Sequence, residues 1–144
     1  MTDVQNRGKS QSDKNVIIVT GSSGSIGSAI VKALADHYRV LGFDRDSAPH
    51  PLSEAECICI DLSDRDKMDA AFDRVRTAHG RRISSVVHLA AYFDLTGESN
   101  PAYDAVNLGG TRNLLHSLKN FEVEQFIFFS TMLVHAPTKI AIDH

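Results

Sequence analysis

Apolar residues in this chain come in short unbroken bursts, separated by stretches in which they recur every three or four positions. Residues 15–20 (NVIIVT) are β-branched and almost wholly apolar, the pattern of a parallel strand buried on both faces. Ile26, Ala29, Ile30, Ala33 and Leu34 then recur at helical spacing and predict a helix over 25–37. Residues 39–44 (RVLGFD) and 57–62 (CICIDL) predict the second and third strands. Ser63 offers an N-cap, with Asp64 and Asp66 in the first turn of a helix whose Met68, Ala71, Phe72 and Val75 share one face before Gly80. Residues 84–90 (SSVVHLA) predict strand four, Asn100 and Pro101 open a long helix to about Asn120, and 126–130 (FIFFS) predict strand five. Strands alternating with helices require crossover units, and hence a mainly parallel sheet with helices on both faces.

Composition narrows this picture. The 144 residues are 42% hydrophobic and 23% charged, an ordinary globular balance in the size range of one domain. The net charge of −3 gives no basic surplus for nucleic acid or an anionic membrane. No apolar run is long enough for a membrane span, and residues 1–15 lack the apolar segment of a secretory signal. Those fifteen residues contain one valine among polar residues and are read as a disordered tail before a domain over 16–144. Cys57 and Cys59 are too few for a disulfide framework and are read as buried thiols on one strand face. The expected setting is therefore reduced and cytoplasmic. The seven histidines show no metal-binding spacing, so no metal site is expected. His88 is read as a strand residue satisfied by packing or backbone.

Chemistry concentrates where the strands end. Thr20-Gly21-Ser22-Ser23-Gly24-Ser25-Ile26-Gly27 joins strand one to its helix. Gly21 permits the tight turn, Gly24 lets the backbone approach a pyrophosphate, and Gly27 allows close helix–strand packing. Free amides at the helix start, with the positive end of its dipole, would hold the phosphates. Asp44 ends strand two at the place where a carboxylate accepts both hydroxyls of an adenosine ribose, which favours NAD. Arg45 could instead pair with a 2′-phosphate, which keeps NADP as the alternative. The fold class is thus α/β: a Rossmann-type, doubly wound, three-layer α/β/α domain of strand order 3-2-1-4-5, with its ligand outside the carboxyl ends of strands one and four.

In this order the motifs resemble the extended branch of the short-chain dehydrogenase/reductases, the NAD-dependent epimerase/dehydratase family. TGSSGSIG (20–27) is similar to that branch's TGxxGxxG, and residues 106–115 (VNLGGTRNLL) are similar to its VNxxGTxNLL. The resemblance implies Asp61 at the adenine amino group, Leu62 beside the ring, and the backbone of Leu89, Ala90 and Ala91 along the adenosine side. It further implies that Gly21, Ser22, Ser23, Gly24, Ser25, Ile26, Gly27, Asp44 and Arg45 hold the cofactor. Asn107 becomes a structural and active-site asparagine, and Thr131 falls on the catalytic Ser/Thr. Taken singly, Asp61 could merely cap the following helix, Asn107 could be an ordinary helix residue, and Thr131 an ordinary strand-end hydroxyl.

Departures from the pattern matter as well. The family's Tyr-x-x-x-Lys pair is missing: Tyr38, Tyr92 and Tyr103 are followed four residues later by Gly42, Thr96 and Asn107. His135 stands where the family usually has Tyr. FIFFS would also make an apolar, two-faced edge if nothing covered it, and natural sheets avoid such edges. The expectation is an N-terminal portion of a longer enzyme, sheet ending at strand five, with the catalytic helix and substrate domain absent and no turnover of its own; a partner chain completing the sheet is the alternative. The whole enzyme would act by hydride transfer on a sugar-nucleotide or similar hydroxylated small molecule, and family practice allows a homodimer. A non-catalytic dinucleotide-binding sensor is the competing reading, and a Rossmann-like domain for another nucleotide a third.

Overall fold

The computed structural model describes residues 14–45, 55–96 and 98–131. Residues 1–13 of the expected tail, most of the loop before strand three, and His135 lie outside them. Five parallel strands form one sheet in the order β3-β2-β1-β4-β5. They are β1 (Val16–Thr20), β2 (Arg39–Asp44), β3 (Glu56–Cys59), β4 (Arg82–His88) and β5 (Glu122–Phe128). Helix α1 (Ser25–Leu34) follows β1, and α2 (Arg65–His79) connects β3 to β4. Before β5 the chain winds as a π-helical segment (Tyr103–Gly110), α3 (Thr111–Ser117) and a 3-10 turn (Leu118–Asn120).

All five residues of β1 are buried, because each face of the sheet has its own core. Val16 and Ile18 pack with Leu41, Phe43, Met68, Phe72, Val86 and Leu114 on one side. Ile17 and Val19 pack with Val31, Val40 and Val87 on the other. A strand sandwiched in this way needs apolar residues at every position, which is what the unbroken run supplies.

Several boundaries differ from expectation. β5 starts at Glu122, four residues early, because it pairs with β4 from Arg82↔Glu122 onward and the Arg82 guanidinium meets Glu124 at 2.8 Å. β4 correspondingly runs over Arg82–His88, and β3 stops at Cys59, two residues before Asp61. Helix α1 ends at Leu34; beyond it Lys14 donates to the carbonyls of Ala35 and Asp36, so the last of the fifteen expected tail residues belong to the folded part. The N-cap of α2 is Asp64, whose side chain accepts from the Lys67 amide at 3.1 Å; the Ser63 hydroxyl is turned toward Asp61. Cys57 and Cys59 are exposed, not buried: β3 is an outer strand, and Ile58, pointing the other way, is the residue that reaches the core. Among the described residues β5 is the opposite outer strand, and Phe126, Ile127 and Phe128 on it and Phe129 after it are exposed. No helix among the described residues is long and apolar enough to cross a membrane.

Candidate cofactor site

At the carboxyl ends of β1, β2 and β4 lies a cleft of about 650 Å³. Its floor is the turn between β1 and α1. Gly21 has φ +70°, and a Cβ there would lie 3.0 Å from the Ala90 nitrogen, so both turn geometry and close approach demand glycine. Gly27 lies against the back of the same turn: a Cβ on it would sit 2.1 Å from the Gly21 carbonyl oxygen. Gly24 is different. A Cβ there would meet only the Gly21 oxygen, at 3.4 Å, so packing does not require glycine at this cleft-lining position.

The amides of the turn are divided between the protein and the cleft. Gly21 and Ser22 donate to the Phe43 carbonyl at 2.7 and 3.5 Å, and Ser23 donates to Asp44 Oδ2 at 2.9 Å. The first intrahelical bond of α1 runs from Ser28 to Gly24 at 2.8 Å, and no side chain caps the helix. The amides of Ser25, Ile26 and Gly27 are therefore the ones that the first turn leaves over. Asp44 takes a second bond, from the Arg45 amide to Oδ1 at 2.8 Å, which aligns its carboxylate at the cleft mouth. Asp61 accepts from the Ser63 hydroxyl at 2.7 Å and the Ser63 amide at 2.9 Å; these two bonds hold its carboxyl below the usual carboxylate range.

The model of the NAD dependent epimerase/dehydratase family covers residues 17–142. The chain belongs to the NAD-dependent epimerase/dehydratase family. It is 32% identical over 119 residues to a 3 beta-hydroxysteroid dehydrogenase/Delta 5-->4-isomerase of Mycobacterium tuberculosis, covering 80% of this chain and 31% of that protein. It is 33% identical over 128 residues to an L-arabinose 1-dehydrogenase (NAD(P)(+)) of Haloferax volcanii, covering 87% and 44%. Among solved structures, UDP-glucuronic acid 4-epimerase from Bacillus cereus, in complex with UDP-glucuronic acid and NAD, superposes with a TM-score of 0.68 at 26% identity, covering 89% of this chain and 44% of that one. The chain thus spans less than half the length of these relatives.

Within this family member the expected residues divide into two groups. Gly21, Ser23, Gly24, Asp44, Arg45, Asp61, Leu62, Leu89, Ala90 and Ala91 line the cleft together. Ser22 and Gly27 are buried behind it, Ser25 and Ile26 open α1 beside it, and Thr131 lies beyond β5 at the same end of the sheet, outside the lining. Asn107 is turned elsewhere: its amide donates to the Tyr92 carbonyl at 3.0 Å and accepts from the Tyr92 amide at 2.7 Å. Among the described residues no group of three His, Cys, Asp or Glu could hold a metal ion.

Sequence reasoning passed over Phe43, Ile60, Tyr92, Phe93 and Val106, which complete the lining. It also missed the frame of the loop after β4. The Tyr92 and Tyr103 rings meet edge to face with centroids 5.0 Å apart, the Asn100 amide donates to the Tyr92 hydroxyl at 2.8 Å, and the Tyr103 hydroxyl donates to the Asp94 carbonyl at 3.2 Å. The two flanking tyrosines were visible as residues but not as a pair. With Asn107→Ala the Tyr92 amide and carbonyl lose their partners, and the expected cost is about 1–3 kcal/mol in urea unfolding. Unchanged stability would show that the loop stands without this clamp.

Proposed function

We propose that these residues form the dinucleotide-binding part of an NAD-dependent dehydrogenase, epimerase or dehydratase. Its substrate would be a sugar-nucleotide or a similar hydroxylated small molecule. The observation that carries the reading is Gly24: a glycine with no packing need for its missing Cβ, at a cleft beside unspent helix amides, is what a close-approaching phosphate requires.

The remaining residues fit the rest of the molecule. Amides of Ser25 and Ile26, which open α1 beside the cleft, would hold the pyrophosphate, with Gly27 packing the helix against the turn. Asp44, already oriented by two amides, would accept the ribose hydroxyls and repel a 2′-phosphate, so NAD is preferred over NADP. Asp61 would receive the adenine amino group, with Leu62 against the ring and Leu89, Ala90 and Ala91 along the adenosine. Bound NAD would supply the hydride acceptor. Thr131 would hydrogen-bond the substrate hydroxyl, and Asn107 would keep the Tyr92 loop in place beside it. No general base is assigned within these residues, since the sequence has no Tyr-x-x-x-Lys pair.

Calorimetric titration with NAD⁺ and NADP⁺ tests the reading. The wild type is expected to bind NAD⁺ more tightly, and Asp44→Ala to narrow that preference by about tenfold or more, equivalent to ~1.4 kcal/mol. No heat with either dinucleotide would remove the cofactor reading, and an unaltered preference would remove the role of Asp44.

A further inference from the structure

Thr20 ends β1 and His88 ends β4, paired side by side in the sheet. Both are buried, at 0% and 2% exposure. The Thr20 hydroxyl oxygen has three polar neighbours. The amides of Leu89 and Ala90 reach it at 3.2 and 3.1 Å, and His88 Nδ1 lies 2.6 Å away. (Leu89 shares its N–H with the Thr20 carbonyl oxygen, at 3.3 Å.) An amide can only donate, so both lone pairs of the hydroxyl are occupied. Its proton has one acceptor left, Nδ1, which must then be unprotonated. The ring proton sits on Nε2 and is donated to Thr111 Oγ1 at 2.8 Å.

This arrangement satisfies each atom in one way only. Were Nδ1 protonated, three N–H groups would converge on the Thr20 oxygen and its own proton would lack an acceptor, a costly state for a buried hydroxyl. The Phe126 and Phe128 rings lie 6.2 and 5.7 Å from the imidazole, and burial pushes its pKa down to about 4, in keeping with a ring held neutral.

The geometry has a consequence at the cleft. The Ala90 nitrogen held by Thr20 is the same atom against which the Gly21 backbone packs so closely that a Cβ on Gly21 would lie only 3.0 Å from it. Gly21, Leu89 and Ala90 line the cleft, whereas His88 does not. The imidazole thus touches the hydroxyl that meets one wall of the cleft without itself lining it. Thr111, its other partner, begins α3 directly after the π-helical segment that carries Asn107, so the same ring ties the wall to the helix clamping the Tyr92 loop.

We propose that His88, as the neutral Nε2–H tautomer, is a positioning residue for the cofactor site: by accepting the Thr20 hydroxyl proton it keeps that oxygen's lone pairs on the Leu89 and Ala90 amides and fixes the wall facing Gly21. The proposal rests on the dinucleotide reading above.

Two measurements test it. In the ¹⁵N-labelled protein near neutral pH, the His88 ring is expected to show an unprotonated Nδ1 and a protonated Nε2; the reverse pattern overturns the proposal whatever any variant does. Calorimetry with NAD⁺ then compares T20S, T20V, H88N and H88Q, with circular dichroism selecting those that fold. Asn places Oδ1 where Nδ1 was and can accept from Thr20, whereas Gln reaches toward Thr111. T20S and H88N should bind within about threefold of the wild type, and T20V and H88Q about tenfold or more weaker. Wild-type affinity in T20V, or H88N as weak as H88Q, overturns the positioning role alone. A wild type silent toward NAD⁺ overturns the cofactor reading, and the positioning role with it.

Discussion

Gly27→Ala is expected to destabilise the fold by about 3 kcal/mol or more, at the upper end of what overpacking a core site costs. The new methyl would lie 2.1 Å from the Gly21 carbonyl oxygen and 2.8 Å from the Ser22 Cα. Both are backbone atoms of a turn that is itself fixed by the Gly21 and Ser22 amides on the Phe43 carbonyl, so neither can swing aside. Relief would require α1 to move off the sheet, taking Val31 from its core. Gly24→Ala supplies the contrast. With φ −68° and ψ 169° its backbone suits alanine, and the nearest atom is at ordinary contact distance, so stability should fall by no more than about 1 kcal/mol. Dinucleotide affinity should nevertheless drop about tenfold or more, because the methyl takes the place where a phosphate approaches. Urea unfolding and calorimetry on both variants separate the roles. Equal stability losses at Gly24 and Gly27 would mean that the turn is uniformly tight and that Gly24 is not reserved for a ligand.

How legible these features were in the sequence depends on how local their causes are. Strands β1 and β2 sit where their apolar runs place them, since a strand buried on both faces announces itself at every position. Alternation of strands and helices required a parallel sheet, and 3-2-1-4-5 is the order expected of a doubly wound dinucleotide-binding unit. β5 was misplaced because its first half, Glu122 to Gln125, is mostly polar; pairing with β4 and the Arg82–Glu124 bridge hold it, not hydrophobicity. The exposed Cys57 and Cys59 show the same limit, because a strand's place in the sheet order is set by its pairing and not by its own residues. The long helix after Pro101 was visible as a helix, but its π-helical first half was not, since nothing in the periodicity of 103–110 marks a wider turn.

The site divides along the same line. The glycine turn could be read directly because its residues act on one another within a span of eight. Asn107 was found by resemblance, yet its partner, the Tyr92 backbone, is 15 residues away and carries no side-chain signature. Thr20, His88 and Thr111 are separated by 68 and 23 residues, and His88 was expected to be satisfied by packing or backbone, whereas two threonine hydroxyls satisfy it. A histidine ending one strand beside a threonine ending its neighbour becomes a signal only once the sheet order pairs them.

That buried imidazole should also set the acid limit of the fold. Its pKa is about 4 in the native chain, against 6.5 for the free group. Between those values the unfolded chain takes up a proton that the folded chain refuses, so stability falls as the pH is lowered through this window. The slope is about 1.4 kcal/mol per pH unit, for a total of about 3 kcal/mol between neutral pH and pH 4. Below pH 4 the native ring is protonated too and adds no further loss. Asp61 and Asp69 take over there: their carboxyls are held low by Ser63 and by Arg65 and Ser117 respectively, so the stability they contribute disappears as the pH drops through the carboxylate range. Urea unfolding at pH 7, 6, 5 and 4.5 should therefore show a steady decline well above the carboxylate range. H88N, which cannot titrate, should flatten it. A wild-type profile level from pH 7 to 5 would mean that the ring takes a proton as readily folded as unfolded, and that burial does not hold it neutral through this window.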